Sequence, residues 1–253
     1  MPRHFAGLTG AATLPTGTFQ LSARIVDDLV VNAAMGVLHG PAGTGKTYAM
    51  ESALEDQAAR NPGIAITTLS FTSRPTMRLV GDQLLVELTG AATASSRNRF
   101  QITNKLIDLL AHPKRLLVVD EAQRLNGDCI EMLRHLHDDK KTNFALLYVG
   151  GDGCWEVLSR EPMLRSRIFR RLPFRPLSAG EVPDLIRGYH PIYAAADTEL
   201  LRSIDETYGH GTMRDWAAFT HTAAALCVDA GREHIDTEIV ANAFTLLGGG
   251  VYV

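Results

Sequence analysis

A glycine-rich segment, HGPAGTGKT at residues 39–47, has the residue types and spacing that bind phosphate. It fits the pattern G-x-x-x-x-G-K-[ST], with Gly40, Gly45, Lys46 and Thr47 at the fixed positions. Glycines let successive backbone N–H groups curl around an anion, and the helix expected to start here adds the positive end of its dipole. Lys46 is expected to contact the β- and γ-phosphates, and the Thr47 hydroxyl to bind Mg²⁺. The predicted nucleotide-binding residues are Gly40, Pro41, Ala42, Gly43, Thr44, Gly45, Lys46, Thr47 and Tyr48.

An apolar run that ends in two acids, LLVVDEAQ at residues 116–123, could complete a hydrolytic site. A buried strand ending at Asp120 places a carboxylate at the edge of a parallel sheet where ligands bind. Asp120 is expected to hold Mg²⁺ through its water shell, and Glu121 to orient or deprotonate the attacking water. The alternative is a pair of solvated acids at a strand end. The phosphate-binding pattern upstream favours the hydrolytic interpretation.

Two groups of arginines could act on the same phosphates. LRSRIFRR at residues 164–171 is a dense cluster before a short β-rich run, and GTMR at residues 211–214 places Arg214 at the head of a predicted helix. Most arginines are surface cations, and this is the alternative for both groups.

The pattern of apolar residues indicates how these segments are positioned. Five β-rich runs, at residues 36–39, 64–71, 115–120, 144–151 and 170–174, alternate with helical patterns, which predicts an α/β fold with a parallel sheet. From residue 178 onwards only helical patterns occur. We therefore predict three parts: an N-terminal extended arm (1–22), an α/β nucleotide-binding core (23–177) and a small all-helical lid (178–253).

Composition narrows the possible functions. The chain has 253 residues, 45% of them hydrophobic and 21% charged, as in an ordinary globular protein. The sequence predicts no membrane span, no secretory signal and no disulfide, so the expected location is the cytoplasm. The net charge of −3 excludes a strong overall attraction to nucleic acid, so any DNA contact must use a local basic patch.

These motifs resemble those of the AAA+ ATPases over nearly the whole chain. GPAGTGKT resembles their Walker A motif, LLVVDEAQ their Walker B, GTMR their sensor 2, and LRSRI the segment that carries a trans-acting arginine in clamp loaders. The resemblance implies a P-loop NTPase fold with a five-stranded sheet, ATP and Mg²⁺ at subunit interfaces, and a homo-oligomer in the form of a ring or helical filament. It assigns the finger that reaches a neighbouring subunit to Arg167, with Arg165, Arg170 and Arg171 as rivals. Arg214 would contact the γ-phosphate of its own subunit, and Arg24 and Ile25 would lie beside the adenine.

One position departs from the AAA+ pattern. The fourth β-rich run ends YVGGDG, where many AAA+ proteins have a polar residue known as sensor 1. Asp152 is a poor substitute because its carboxylate would repel a γ-phosphate. This departure predicts slow or partner-dependent hydrolysis.

Within the AAA+ ATPases, the motifs GPAGTGKT, DEAQ, VGG and SRI are most similar to the transposition regulators of the TniB, TnsC and MuB group. That resemblance implies ATP-dependent assembly on double-stranded DNA and a transposase as partner. Phosphate contacts are expected from basic residues in two segments: Arg74, Arg78, Arg97, Arg99 and Lys105. The alternatives are an AAA+ motor of another pathway, secretion-associated or similar to clamp loaders, and a nucleotide-dependent scaffold that hydrolyses ATP slowly.

Overall fold

A computed structural model describes residues 5–90 and 99–248 of the chain. Its centre is a five-stranded sheet, and all its strand pairs are parallel. The strands are β1 (Met35–His39), β2 (Ala65–Ser70), β3 (Arg115–Asp120), β4 (Phe144–Gly150) and β5 (Ile168–Pro173), in the order β2-β3-β4-β1-β5. All seven residues of β4 are buried, as expected for a strand covered on both faces. The predicted fold class is confirmed.

Eleven α-helices occur in the described residues, and none of them is long and apolar enough to cross a membrane. Those that follow or connect the strands are α1 (Gly17–Asn32), α2 (Lys46–Arg60), α3 (Met77–Thr89), α4 (Arg99–Ala111), α5 (Gly127–Asp138), α6 (Cys154–Ser159) and α7 (Pro162–Arg165). The remaining helices are α8 (Val182–Arg187), α9 (Thr198–Ile204), α10 (Met213–Asp229) and α11 (Thr237–Leu246), with a π-helical turn at Asp205–Gly209.

The first helix starts earlier than the sequence predicts. We expected an extended arm up to residue 22, whereas α1 begins at Gly17. The Thr16 hydroxyl accepts a hydrogen bond from the Phe19 N–H (3.2 Å), which satisfies one of the backbone donors at the start of the helix. The abundance of Gly, Thr and Pro before this point concealed the start of the helix.

The chain divides into two compact units, which differ from the three predicted parts. The sheet unit comprises Gln20–Gly40 and Ala49–Pro173, and it contains the five strands. The lid unit comprises Met1–Phe19, Pro41–Tyr48 and Phe174–Val253, and so includes most of the phosphate-binding loop together with α8–α11. The domain boundaries proposed from the sequence stay predictions.

Each unit has its own hydrophobic core. In the sheet unit, side chains from β3 and β4 pack with α3, α4 and α5. In the lid unit, the core is built around the fully buried Trp216, whose ring lies 5.8 Å from that of Tyr193. Leu14 belongs to this second core, and the Ala12 N–H donates to the carbonyl of Tyr189 (2.7 Å). The segment before α1 is therefore packed against the lid helices.

Candidate active site

The glycine-rich loop after β1 has the backbone conformation of a phosphate cradle. Gly40, Gly43 and Gly45 have φ values of 146°, 80° and 87°, which residues with a Cβ rarely adopt. Lys46 begins α2, is only 8% exposed, and donates from Nζ to the carbonyl of Pro41 (2.6 Å). The ammonium group thus lies folded over its own loop, and the Thr47 side chain is exposed. These residues fit a nucleotide phosphate with its Mg²⁺, because the loop offers backbone donors, a positive charge and a hydroxyl.

Arg214 lies against this loop within the lid unit. Its N–H donates to the carbonyl of Gly43 (3.0 Å). A Cβ added at Gly43 would lie 3.2 Å from the Cβ of Arg214 and 3.3 Å from the hydroxyl of Thr212. Thr212 caps α10 by accepting from the Asp215 N–H, so the helix starts at the loop. The structure therefore brings together two motifs that are about 170 residues apart in the sequence.

A buried aspartate fixes the turn that precedes Arg214. Asp205 is 8% exposed, and its Oδ1 accepts from the Gly211 N–H (2.7 Å) and from the Trp216 indole N–H (2.9 Å). Gly211, at φ 68°, in turn accepts from the N–H of Leu177 (2.8 Å). The sequence analysis did not identify Asp205. An acid within the apolar pattern of a helix was the available signal.

Tyr48, the last residue of the predicted loop set, contacts the segment before α1. Its hydroxyl is hydrogen-bonded to that of Thr13, and its ring centroid lies 6.0 Å from that of Phe19. The residues proposed beside adenine lie on α1 in the sheet unit. Arg24 is 74% exposed and pairs with Asp28 (3.2 Å), while Ile25 is buried. Their contact with a base stays a prediction.

The acidic pair occupies the carboxyl edge of the sheet, where β1 also ends. β3 finishes at Asp120, whose Oδ1 accepts from the N–H of Glu121 (2.8 Å). Glu121 has φ 55° and ψ 37°, a left-handed conformation that is uncommon for a residue with a side chain and is concentrated at functional sites. Its side chain is 42% exposed. Both acids are therefore where the sequence predicted them, at the end of a buried strand.

Two neighbours hold the carboxylate of Glu121. The Gln123 Nε2 donates to its Oε2 (2.7 Å), and the Arg124 Nε lies 3.3 Å from the same oxygen. Gln123 also accepts, through Oε1, from the backbone N–H of Gly151 (2.9 Å) just after β4. Neither residue was identified from the sequence, since their partners are known only after folding.

β4 ends in a glycine, and the side chains of Gln123 and Cys154 occupy the space that a side chain at this position would need. A Cβ added at Gly150 would lie 2.5 Å from the Gln123 Oε1 and 2.5 Å from the Cys154 Sγ. Asp152, considered as a substitute for the polar residue, is exposed in the turn that follows. The glycines that the sequence shows as a departure from the AAA+ pattern thus make room for the amide of Gln123.

The four arginines considered as trans-acting fingers differ in their contacts. Arg167 donates from Nε to Asp138 (2.8 Å) and from Nη1 to the carbonyl of Met163 (2.9 Å). The other three lie as follows: Arg165 is exposed at the end of α7, Arg170 pairs with Asp28 (2.9 Å), and Arg171 donates to His39 (3.0 Å) and covers the ring of Trp155 (4.2 Å). The choice among them stays a prediction.

The proposed DNA contacts lie partly within the described residues. Arg74, Arg78 and Lys105 are exposed, and Arg78 pairs with Asp82 (3.3 Å). Arg97 and the side chain of Arg99, which begins α4, lie outside the described residues. Binding of DNA by this group stays a prediction.

The fold and the two motifs define a class of proteins. A parallel sheet with a glycine-rich phosphate loop after β1 and an acidic pair after β3 is characteristic of the P-loop nucleotide-binding proteins. A family model described as AAA domain matches residues 30–158, more than half of the chain, and the chain belongs to that family. Membership implies nucleotide binding and hydrolysis.

Similar proteins are found in curated sequences and in solved structures. The chain is 28% identical over 159 residues to "General secretion pathway protein A" of Aeromonas hydrophila, a match that covers 60% of this chain and 28% of that protein. The chain thus matches less than a third of the length of this relative. Two solved structures share the fold: Cdc6p from Pyrobaculum aerophilum (TM-score 0.73, 18% identity, 96% of this chain and 70% of that one) and the ORC1 protein of Aeropyrum pernix in complex with DNA (TM-score 0.65, 16% identity, 94% and 66%).

Proposed function

We propose that this protein is a Mg²⁺-dependent ATPase that assembles as a homo-oligomer on double-stranded DNA and regulates transposition by recruiting or activating a transposase. The observation that carries the ATPase assignment is the hydrogen bond between the Arg214 N–H and the carbonyl of Gly43 (3.0 Å). This backbone bond supports the proposal because it holds Arg214, a residue with a cationic side chain, next to the phosphate loop of the same subunit.

Each residue has a distinct role in the proposed reaction. The loop N–H groups and Lys46 bind the β- and γ-phosphates, and Arg214 adds positive charge at the γ-phosphate. Glu121 accepts a hydrogen bond from water and orients it for attack on phosphorus. Mg²⁺, when bound, neutralises the phosphate charge, and the residues that would hold it are Thr47 and Asp120.

A subunit interface would complete the site. We assign the trans-acting role to Arg167, which pairs with Asp138 in the single chain. In the oligomer, the guanidinium of Arg167 leaves Asp138 and binds the γ-phosphate of the ATP in the neighbouring subunit. ATP binding therefore stabilises the assembly, and hydrolysis releases the subunits. Arg165, exposed at the end of α7, is the first alternative.

Local positive charge supports the DNA assignment. Arg74, Arg78 and Lys105 are exposed in the segments leading into and along α3 and α4, although the chain as a whole has a net charge of −3. A protein of the same fold, the ORC1 protein, is found in complex with DNA. Contacts of this type bind phosphates without reading sequence and weaken steeply with salt.

The ATPase is tested by steady-state hydrolysis of ATP with Mg²⁺. We expect Glu121→Gln to lower kcat by about 100-fold or more with little change in ATP affinity, because only the general base is removed. Arg214→Ala should lower both kcat and affinity. The control is Arg202→Ala, since Arg202 pairs with Glu199 at the lid surface. Equal rates for the wild type and Glu121→Gln would contradict the assignment.

DNA-dependent assembly is tested by electron microscopy with a non-hydrolysable ATP analogue, with and without duplex DNA. Filaments or stacked rings that need both ligands would support the proposal, and monomers or rings indifferent to DNA would overturn it. The double variant Arg74→Ala/Arg78→Ala should weaken DNA binding and reduce its salt dependence, by about one unit of slope for each phosphate that is no longer bound. The matched control is Lys140→Ala/Lys141→Ala, in the exposed turn between α5 and β4.

A secretion-associated ATPase is the second candidate. The 28% identity to "General secretion pathway protein A" over 159 residues favours it. This function requires ATP hydrolysis but no assembly on DNA. ATPase activity and oligomerisation that are unchanged by duplex DNA would favour this candidate over the transposition regulator.

A further inference from the structure

We propose that Gln123 is the positioning residue of the catalytic glutamate, and that its amide replaces the polar side chain missing from the end of β4. This inference rests on the proposed ATPase function. It assigns to Gln123 the task of holding the Glu121 carboxylate in place for the attacking water.

The first argument is chemical. The side chain of Gln123 lies between a carboxylate oxygen of Glu121, which can only accept, and the backbone N–H of Gly151, which can only donate. A carboxamide is a neutral group that satisfies both at once, because it carries a donor and an acceptor on one planar end. A glutamate at position 123 would bring two carboxylates together. An apolar side chain would remove the acceptor of the Gly151 N–H and leave Arg124 as the remaining side-chain donor described for Glu121.

The second argument is steric. Gly150 and Gly151 have no Cβ, and one built on Gly150 would meet the Gln123 Oε1 at 2.5 Å. Gly151 is different, because its added Cβ would make an ordinary contact with Gln123 Nε2 at 3.4 Å. The amide thus fills the space into which a side chain at the end of β4 would project, and it reaches there from the segment after β3.

The third argument concerns the conformation of Glu121. With φ 55°, the residue sits in a backbone conformation whose cost must be offset by its surroundings. Gln123 and Arg124 both reach the same oxygen, Oε2, from the short 3₁₀ turn that follows. Arg124 is further tied to the carbonyl of Thr72 (2.8 Å), so the carboxylate is restrained from two sides.

The test compares ATP binding and ATP hydrolysis in the full chain with Mg²⁺. We expect Gln123→Ala to lower kcat about 10- to 100-fold, the range for removing one hydrogen bond to a charged group, while KM and ATP affinity change less than twofold. Gln123→Glu should be at least as damaging. The matched control is Gln20→Ala, a glutamine exposed on α1, which should behave as the wild type.

A second variant separates positioning from folding. In Gln123→Ala/Gly151→Asn, the new amide projects from the end of β4 into the space left by Gln123, at a position whose φ any residue can adopt. The inference is supported if the double variant regains at least a third of the decrease in log kcat that Gln123→Ala causes. An amide added at position 151 would not repair a general defect in folding. The inference is overturned by a Gln123→Ala variant that hydrolyses ATP at the wild-type rate or faster while Glu121→Gln is inactive. A wild type that does not hydrolyse ATP, with variants equally inactive, would instead refute the proposed function itself.

Discussion

Replacing Gly43 with alanine tests whether the phosphate loop depends on its contact with the lid helices. Gly43 has φ 80°, a left-handed conformation that costs a residue with a Cβ about 1–2 kcal/mol. The new methyl group would also lie 3.2 Å from the Cβ of Arg214 and 3.3 Å from the hydroxyl of Thr212, tighter than most real contacts. The strain is relieved if the loop opens, which breaks the bond from Arg214 to Gly43.

Nucleotide binding must then restore the strained conformation. A cost of about 1–2 kcal/mol corresponds to a rise of about 5- to 30-fold in the dissociation constant for ATP. The assay is fluorescence titration with a labelled ATP analogue and Mg²⁺. Gly63→Ala is the matched control, because no atom lies within 4 Å of its added Cβ and its φ is ordinary. An affinity for Gly43→Ala within twofold of the wild type would refute the reasoning.

Two further predictions concern stability. Asp205→Ala should lower the free energy of unfolding in urea by about 2–4 kcal/mol, because it leaves the buried donors of Gly211 and Trp216 without this acceptor. The control is Asp229→Ala, at an exposed position. Equal decreases in the two variants would contradict the argument. Burial lowers the pKa of His137 below its usual 6.5, so the unfolded chain binds the proton more readily and stability decreases as the pH falls through 6.5. His137→Gln should flatten this dependence between pH 7 and 5 in urea unfolding, and a dependence that persists in this variant would contradict the argument.

Several features of the fold and site could be predicted because they depend on local sequence. The apolar run before Gly40 and the run ending in Asp120 indicated two buried strands, β1 and β3, and the edge of the sheet at which ligands are expected. The predicted position of Arg214 at the head of a helix agrees with α10, whereas its role at the γ-phosphate comes from the AAA+ resemblance and stays a prediction. In each case the signal is contained in a few neighbouring residues, and the parallel arrangement follows from the alternation of strands and helices.

Other features depend on residues that are distant in the chain. The side chain of Gln123 accepts from the N–H of Gly151, 28 positions away. The residues next to Gln123 in the sequence therefore do not indicate this contact. Asp205 is an acid within the apolar pattern of a helix, but its partners, the Gly211 N–H and the Trp216 indole, are known only from the folded chain. The sequence also did not predict that Pro41–Tyr48 belongs to the same compact unit as the lid helices, because this depends on packing between distant segments.

From residue order alone, this chain is recognisable as an α/β nucleotide-binding protein with a glycine-rich loop, an acidic pair and a helical C-terminal part. Folding was needed to show how the glutamate is held and why β4 ends in two glycines. The physical reason is that backbone conformation and strand formation follow local residue types. The partners of a side chain, in contrast, are set by which distant segments the packed core brings within hydrogen-bonding distance.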